Sequence, residues 1–299
     1  MEAGWASKTL ANHIAEDIGK KAYRALLEEV YTTPKPGLVD LYSNGAHYDM
    51  DVHTFEKSAE ALYPWFVQMA MQGYCFYGTP EELFLEIRKT GLEAEKAMYR
   101  ATNGVNTHKG LIFTLGIFCA AAGRCSREYR RRVTLQKLID MEQQMTRRIL
   151  GLELLNIMEQ TPESESAHTN GEKNLLEYGA SGIRGEAMHG YPSVIKLALP
   201  VLYQGIVEKR NWNKVKLQTL FTLMSRIQDS NILSRGNPEV LKQVQKEAGD
   251  FLKKGGAYSE SAMQELMQMD KEYIRRNISA GGCADLLATA IFLEMFLKG

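Results

Sequence analysis

Residues 104–123 read GVNTHKGLIFTLGIFCAAAG, and their two halves decide the fold. The second half, Leu111 to Gly123, is a nearly unbroken apolar run without the alternation of a half-buried strand. It is too short to span a bilayer and reads as a buried core helix that stops at Gly123. The first half crowds Asn106, Thr107, His108 and Lys109 into one turn between Gly104 and Gly110, so the backbone there can approach a ligand closely. The first N–H groups of the following helix point back at that turn, which makes an anion site, with polyphosphate the obvious ligand. The turn is not a P-loop, because Lys109 precedes Gly110, Leu111 follows it, and no strand leads in.

Outward from this stretch the chain keeps a helical period. Leu10, Ile14, Ile18, Ala22, Leu26 and Val30 mark one face of a first helix. A second is expected from about Thr54 to Tyr77, kinked at Pro64. Thr79-Pro80-Glu81-Glu82 combines an N-cap, a first-turn proline and a capping-box glutamate, and opens a helix to about Thr102. Thr134 to Glu159 reads as a long amphipathic helix. Pro192, and Pro238 after Asn237, open two more. A capping box at Ser261 to Gln264 starts a helix to about Arg276, and the last helix follows Gly281-Gly282. Thr161 to Asn174 reads as a polar loop. Strand signals are scarce, so the expectation is an all-α protein of about ten helices, forming a single catalytic domain over residues 1–299.

Composition narrows the partners. The 299 residues are 44% hydrophobic, ample for a large core. Lys+Arg and Asp+Glu are each 36, so overall charge points to neither nucleic acid nor a membrane surface, and an anionic ligand needs a local cluster. Cys75, Cys119, Cys125 and Cys283 form no Cys-x-x-Cys pair and read as buried, reduced thiols of a cytoplasmic protein. The N-terminus, with Glu2, Trp5 and Lys8, lacks an apolar signal core. Arg124, Arg127, Arg130, Arg131 and Arg132 read as a solvated basic loop. His13, His53, His168 and His189 form no His-Glu-x-x-His pair, and no Gly-x-Ser-x-Gly elbow is present.

Five polar, glycine-marked stretches sit at helix ends. Thr32 to Asp51 holds Lys35, Asp40, His47, Asp49 and Asp51 in a loop that Pro34 and Pro36 keep from becoming helical. The second is Gly104 to Gly110. The third, Tyr178 to Val194, places Arg184 and Glu186 among small residues, an arginine suited to bidentate phosphate binding and a glutamate suited to a metal or a proton. The fourth, Gln228 to Glu239, carries Asp229 and Asn231, resembling half of an oxygen-rich Mg²⁺ site, with Arg235 beyond. The fifth, Ser279 to Ala288, opens a helix on a glycine pair, where Asp285 complements the helix dipole.

Taken in order, PKPGLVD…GAHYDM, GVNTHKG, RGEA…GYP, DSN…RG and GGCADLLA resemble the triphosphoribosyl-dephospho-CoA synthase family, from about Ala22 to the C-terminus. This chain has Asn103, Asn237, Ala280 and Cys283 where that family tends to Gly, Gly, Pro and Ser. The resemblance implies an all-α pentosyltransferase with Mg²⁺. It would move the triphosphoribosyl group of ATP onto the ribose 2′-hydroxyl of 3′-dephospho-CoA and release adenine. The product would pass to a prosthetic-group transferase for the acyl carrier protein of citrate lyase or malonate decarboxylase. On that reading Lys35, Asn106, Thr107, His108, Lys109, Arg184 and Arg235 bind substrate, and Glu186, Asp229 and Asn231 hold the metal. Asp40 or Asp49 then takes the hydroxyl proton, and His47 serves as acid toward adenine. An Mg²⁺-dependent N-glycoside hydrolase and a non-catalytic helical nucleotide-binding protein are the competing readings.

Overall fold

Helix α4, Lys109–Tyr129, runs through the middle of the molecule, and its residues from Leu111 to Cys125 are buried almost without exception. A helix apolar on every side must be surrounded by others, and this one is. The computed structural model describes residues 2–159 and 169–298. Among them lie thirteen α-helices and no strand. His168, most of the expected Thr161–Asn174 loop, and the side chains of Glu2, Trp5, Lys8 and Arg131 lie outside the described residues.

Helix α1, Glu2–Val30, packs along α2, Val52–Cys75. Its expected face is buried from Ile18 to Val30, while Leu10 is exposed. Helix α2 runs through Pro64 and crosses α4 at very short range. A Cβ on Gly73 would fall 2.0 Å from the Ala120 carbonyl oxygen, and one on Gly123 would fall 2.1 Å from that of Ala70. Gly123 is therefore a packing contact inside α4 and not the expected helix stop. The helix continues for six residues, and Arg124 and Arg127 donate to the carbonyls of Tyr74, Phe76 and Gly78 beyond the end of α2. Two of the five arginines of the expected solvated basic loop thus anchor one helix to the end of another.

Helix α3, Pro80–Ala101, starts on the complete Thr79–Glu82 capping box. Helix α5, Leu135–Met158, starts on Thr134. Two short helices follow, α6 (Asn170–Tyr178) and α7 (Gly182–Met188). A helical run from Pro192 contains a π-helical segment, Val194–Ala198, and continues as α8, Leu199–Val207. Then come α9 (Trp212–Met224), α10 (Ser230–Arg235) and α11 (Pro238–Lys253), the last capped by Asn237. In α12, Ala262–Arg275, Ser261 makes no side-chain cap, so the expected box there is not formed. Helix α13, Gly281–Lys298, is buried from Cys283 to Glu294 and closes one continuous core shared with α1, α4 and α9. Cys119, Cys125 and Cys283 are buried as expected, while Cys75 is exposed. Among the described residues no helix is long and apolar enough to cross a membrane.

Candidate active site

The starts of α4, α7, α10 and α13 meet around one cleft of about 1190 Å³. It is lined by residues from all five of the polar stretches, Lys109, Arg184 and Arg235 among them. Side-chain contacts show how the stretches are joined. His47 Nε2 lies 3.1 Å from Ser279 Oγ, and Arg235 Nη2 lies 3.1 Å from His47 Nδ1. Arg235 also donates to the Ala46 carbonyl at 2.8 Å and to Asn277 Oδ1 at 3.1 Å. Asn174, in α6, donates to the Ser230 carbonyl and to Ser234 Oγ, both at 2.9 Å, tying α6 to α10.

The glycine pair that opens α13 lets Asn231 and Asp229 lie close against its backbone. A Cβ on Gly281 would stand 2.2 Å from Asn231 Nδ2, and one on Gly282 would stand 3.0 Å from Asp229 Oδ2. Asp229 is the pivot between the two segments. Its Oδ1 accepts from the N–H groups of Asn231 and Ile232 and caps α10, and its Oδ2 accepts the Cys283 N–H at 2.8 Å. Burial raises its pKa above the ordinary carboxylate value.

The cations on the cleft wall are reachable. Lys109 pairs with Glu95 at 3.0 Å, and Arg184 pairs with Glu172 at 3.3 Å. Both pairs are partly exposed, so each is worth little and can be exchanged for a phosphate. Asn106 Oδ1 accepts the Lys109 N–H at 3.2 Å and shapes the first turn of α4.

Several expected roles go elsewhere. Thr107 Oγ1 donates to Ser58 Oγ at 2.7 Å, and His108 Nδ1 lies 2.7 Å from the same oxygen. His108 is buried edge-on to Phe55, with ring centroids 4.9 Å apart. Burial, with Lys35 nearby, pushes its pKa down to about 3. These side chains fasten the turn to α2, and a neutral His108 supplies no charge to a phosphate. Lys35 is buried against Glu29 and donates to the Glu29 carbonyl oxygen at 2.8 Å, so its charge is already matched. Asp40 is a loop organiser, accepting from the backbone N–H groups of Lys35, Tyr42 and Ser43, and it does not line the cleft. Asp49 lies on the rim, mostly exposed, 4.0 Å from His47 Nδ1. Burial and the Arg235 charge lower the pKa of His47 to about 4, so its ring is neutral at pH 7 and poorly suited as an acid.

The expected metal ligands Glu186, Asp229 and Asn231 all line the cleft, but their carboxylates carry protein partners. Both Glu186 oxygens accept from Ser193, through its N–H at 3.1 Å and its hydroxyl at 2.5 Å. Asp229 is committed to two helix ends, so a protein-held Mg²⁺ would have to draw both carboxylates from their present partners. Among the described residues no group of three or more His, Cys, Asp or Glu side chains is placed to hold a metal ion.

The carboxylate that faces the cleft uncommitted is Asp285, four residues after the first glycine of α13. Its Oδ2 would lie 2.1 Å from a Cβ on Gly110, so it stands against the first turn of α4. Burial, with Glu29 and Asp229 close by, pushes its pKa well above the ordinary carboxylate range. Sequence reading gave Asp285 only a dipole role and passed over Glu29. The one available signal for Glu29 is an acidic residue between the buried Leu26 and Val30 positions of α1.

Fold and site together define an all-helical protein with a large cleft ringed by cationic side chains and by the starts of two long helices, the environment a polyphosphate nucleotide needs. The chain belongs to the CitG family, ATP:dephospho-CoA triphosphoribosyl transferase, whose model matches residues 15–299. It is 39% identical over 286 residues to the 2-(5''-triphosphoribosyl)-3'-dephosphocoenzyme-A synthase of Klebsiella pneumoniae, an alignment covering 95% of this chain and 92% of that protein. Against Protein CitXG of Leuconostoc mesenteroides subsp. cremoris it is 40% identical over 276 residues, 91% of this chain and 57% of the longer protein. A probable synthase of the same name from Vibrio cholerae is 39% identical over 272 residues, covering 91% of this chain and 85% of its own length. No solved structure matches.

Proposed function

We propose that this chain transfers the triphosphoribosyl group of ATP to the ribose 2′-hydroxyl of 3′-dephospho-CoA and releases adenine. The observation that carries the reading is the meeting of Lys109, Arg184, Arg235 and the starts of α4 and α13 around one cleft that also holds the uncommitted carboxylate of Asp285. The triphosphate is retained in the product and serves as a handle. Lys109, Arg184 and Arg235 grip it, exchanging their present partners for phosphate oxygens, and the helix N-termini add favourable potential. Binding energy taken from the phosphates fixes the ribose in line with the acceptor. Mg²⁺ enters as the counter-ion of the ATP phosphates and neutralises part of their charge.

The chemistry is one displacement at the anomeric carbon. The acceptor oxygen forms its bond to that carbon while the bond to adenine N9 breaks. The bonding pair leaves with adenine, which takes up a proton. The hydroxyl proton passes to Asp285, the carboxylate that faces the cleft. Asp229, behind it, adds negative potential that favours an oxocarbenium-like transition state, as in inverting glycoside chemistry. Because ATP is the donor, the reaction belongs in the cytoplasm. The product serves as the prosthetic-group precursor of citrate lyase or malonate decarboxylase, handed on to the transferase that loads the acyl carrier protein.

Incubation with ATP, Mg²⁺ and dephospho-CoA tests this. Adenine is expected to appear in step with a CoA product heavier by one triphosphoribosyl group. Adenine released at the same rate without dephospho-CoA would instead mean a hydrolase, and bound ATP with no adenine would mean a binding protein.

A further inference from the structure

The cleft is larger than one nucleotide requires, since single-ligand pockets commonly run to about 300–1,000 Å³. One arm of it is walled by residues of α2, α3 and α4. There the lining turns aliphatic and aromatic: Met69, Ile87, Leu92, Ile112 and Phe113. Gly91 sits among them, in the interior of α3, where glycine is unfavourable for a helix. Close packing does not demand it. A Cβ at Gly91 would meet only Met69 Cε at 3.9 Å and Ile112 Cγ2 at 4.0 Å, both ordinary contacts. Met69 and Ile112 are core residues that also line the cleft, so the missing side chain leaves room where the core meets the cleft. Beside it Leu92 is 58% exposed, a large apolar side chain at the open edge of the same arm. Arg88 stands over the Phe84 ring at 5.5 Å and pairs with Glu153 of α5, bridging the two helices along this arm.

We infer that this arm, kept open by Gly91, takes the pantetheine chain of the acceptor. The inference rests on the transferase reading above. Dephospho-CoA carries a long uncharged chain of methylenes, a dimethyl-substituted carbon and two amides. A wall of aliphatic groups and one aromatic ring suits such a chain. It suits the adenine of ATP less well, because a departing base needs hydrogen-bond donors and the nearest one, Arg88, is already paired with Glu153. The charged end of the cleft would hold phosphates, and the arm would set the preference for an acceptor with a pantetheine tail.

The test is steady-state adenine release by Gly91→Leu and Gly91→Ala, each checked for folding by thermal melting. Leucine projects into the arm. It is expected to raise KM for dephospho-CoA by about tenfold or more, the scale of a misfit in an apolar pocket, with KM for ATP at the parent value and melting at or above the parent temperature. Alanine is expected to give a smaller rise in the same constant. A folded Gly91→Leu protein with the parent KM for dephospho-CoA overturns the inference. So does a rise confined to ATP, which would place the donor's base in the arm. Leu92→Asp, at the exposed edge, reads the same KM independently should the leucine variant fail to fold. These outcomes require a parent that releases adenine from ATP and dephospho-CoA. A parent that does not defeats the transferase reading and this inference with it.

Discussion

Lys35 is the sharpest place to separate architecture from substrate binding. Its ammonium is 1% exposed and its partner Glu29 is 3% exposed, and the same nitrogen donates to the Glu29 carbonyl oxygen at 2.8 Å. Lys35→Ala would strand the Glu29 carboxylate in the interior, with Asp285 close enough to repel it. Removing one partner of a buried pair costs about 3–5 kcal/mol, against a total stability on the order of 5–15 kcal/mol for a folded domain. The variant should therefore lose a large share of its stability. Urea denaturation followed by far-UV circular dichroism reads this as a midpoint shift at constant slope. The double variant Glu29→Gln/Lys35→Met removes both charges with similar volumes and should recover most of the loss, because replacing a whole buried pair is near neutral. A Lys35→Ala protein within about 0.5 kcal/mol of the parent, the range of an ordinary surface change, would refute the reasoning. Coupled to a large rise in KM for ATP, that result would return Lys35 to the role the sequence suggested.

Three further outcomes follow from the same geometry. Asp285→Asn should lower kcat by about 10²–10⁴-fold, the usual contribution of a positioned acid or base, while ATP affinity holds or improves; unchanged kcat in a folded variant removes Asp285 from the proton transfer. An NMR titration of the histidine rings should find His47 neutral down to about pH 4, below its ordinary value of 6.5. Since its folded pKa lies below its unfolded one, the stability it contributes is present at neutral pH and lost as pH falls from the ordinary histidine range through the folded value; Arg235→Gln should move that pKa upward. Glu142 is fully buried, with Oε2 unpartnered, and burial pushes its pKa well above the carboxylate range. Its contribution is present below the unfolded carboxylate pKa and lost as pH rises from there toward the folded one, so Glu142→Gln should melt with less dependence on pH above the ordinary carboxylate range; parallel curves for parent and variant would contradict this.

Long elements were legible because their signals are local. Thr79-Pro80-Glu82 and Asn237-Pro238 carry their caps within four residues, and both caps form as read. The short helices α6, α7 and α10, with 9, 7 and 6 residues, are too brief to show a periodic stripe and sit in turn-rich sequence. Their helicity comes from packing around the cleft, so the sequence read as loop there. Gly123 misled for a related reason: glycine after an apolar run signals a stop, and only the crossing with α2 shows that it relieves a clash. At the site, the segments themselves were readable, and Lys109, Arg184 and Arg235 stand on the cleft wall. Which side chain faces the cleft was not, because that depends on partners far away in sequence. His108 goes to Ser58 and Asp229 to Cys283, and neither pairing leaves a local trace.

The claim beneath all of this is that Lys109, Arg184 and Arg235 hold one triphosphate between them. Calorimetric titration of ATP and of adenosine into Lys109→Ala, Arg184→Gln and Arg235→Gln tests it most directly. Each variant should bind ATP about tenfold or more weakly, a loss of about 1.5–3 kcal/mol for a charge-assisted bond, and should bind adenosine as the parent does. Parent-strength ATP binding in all three folded variants, or equal losses for ATP and adenosine, would contradict it.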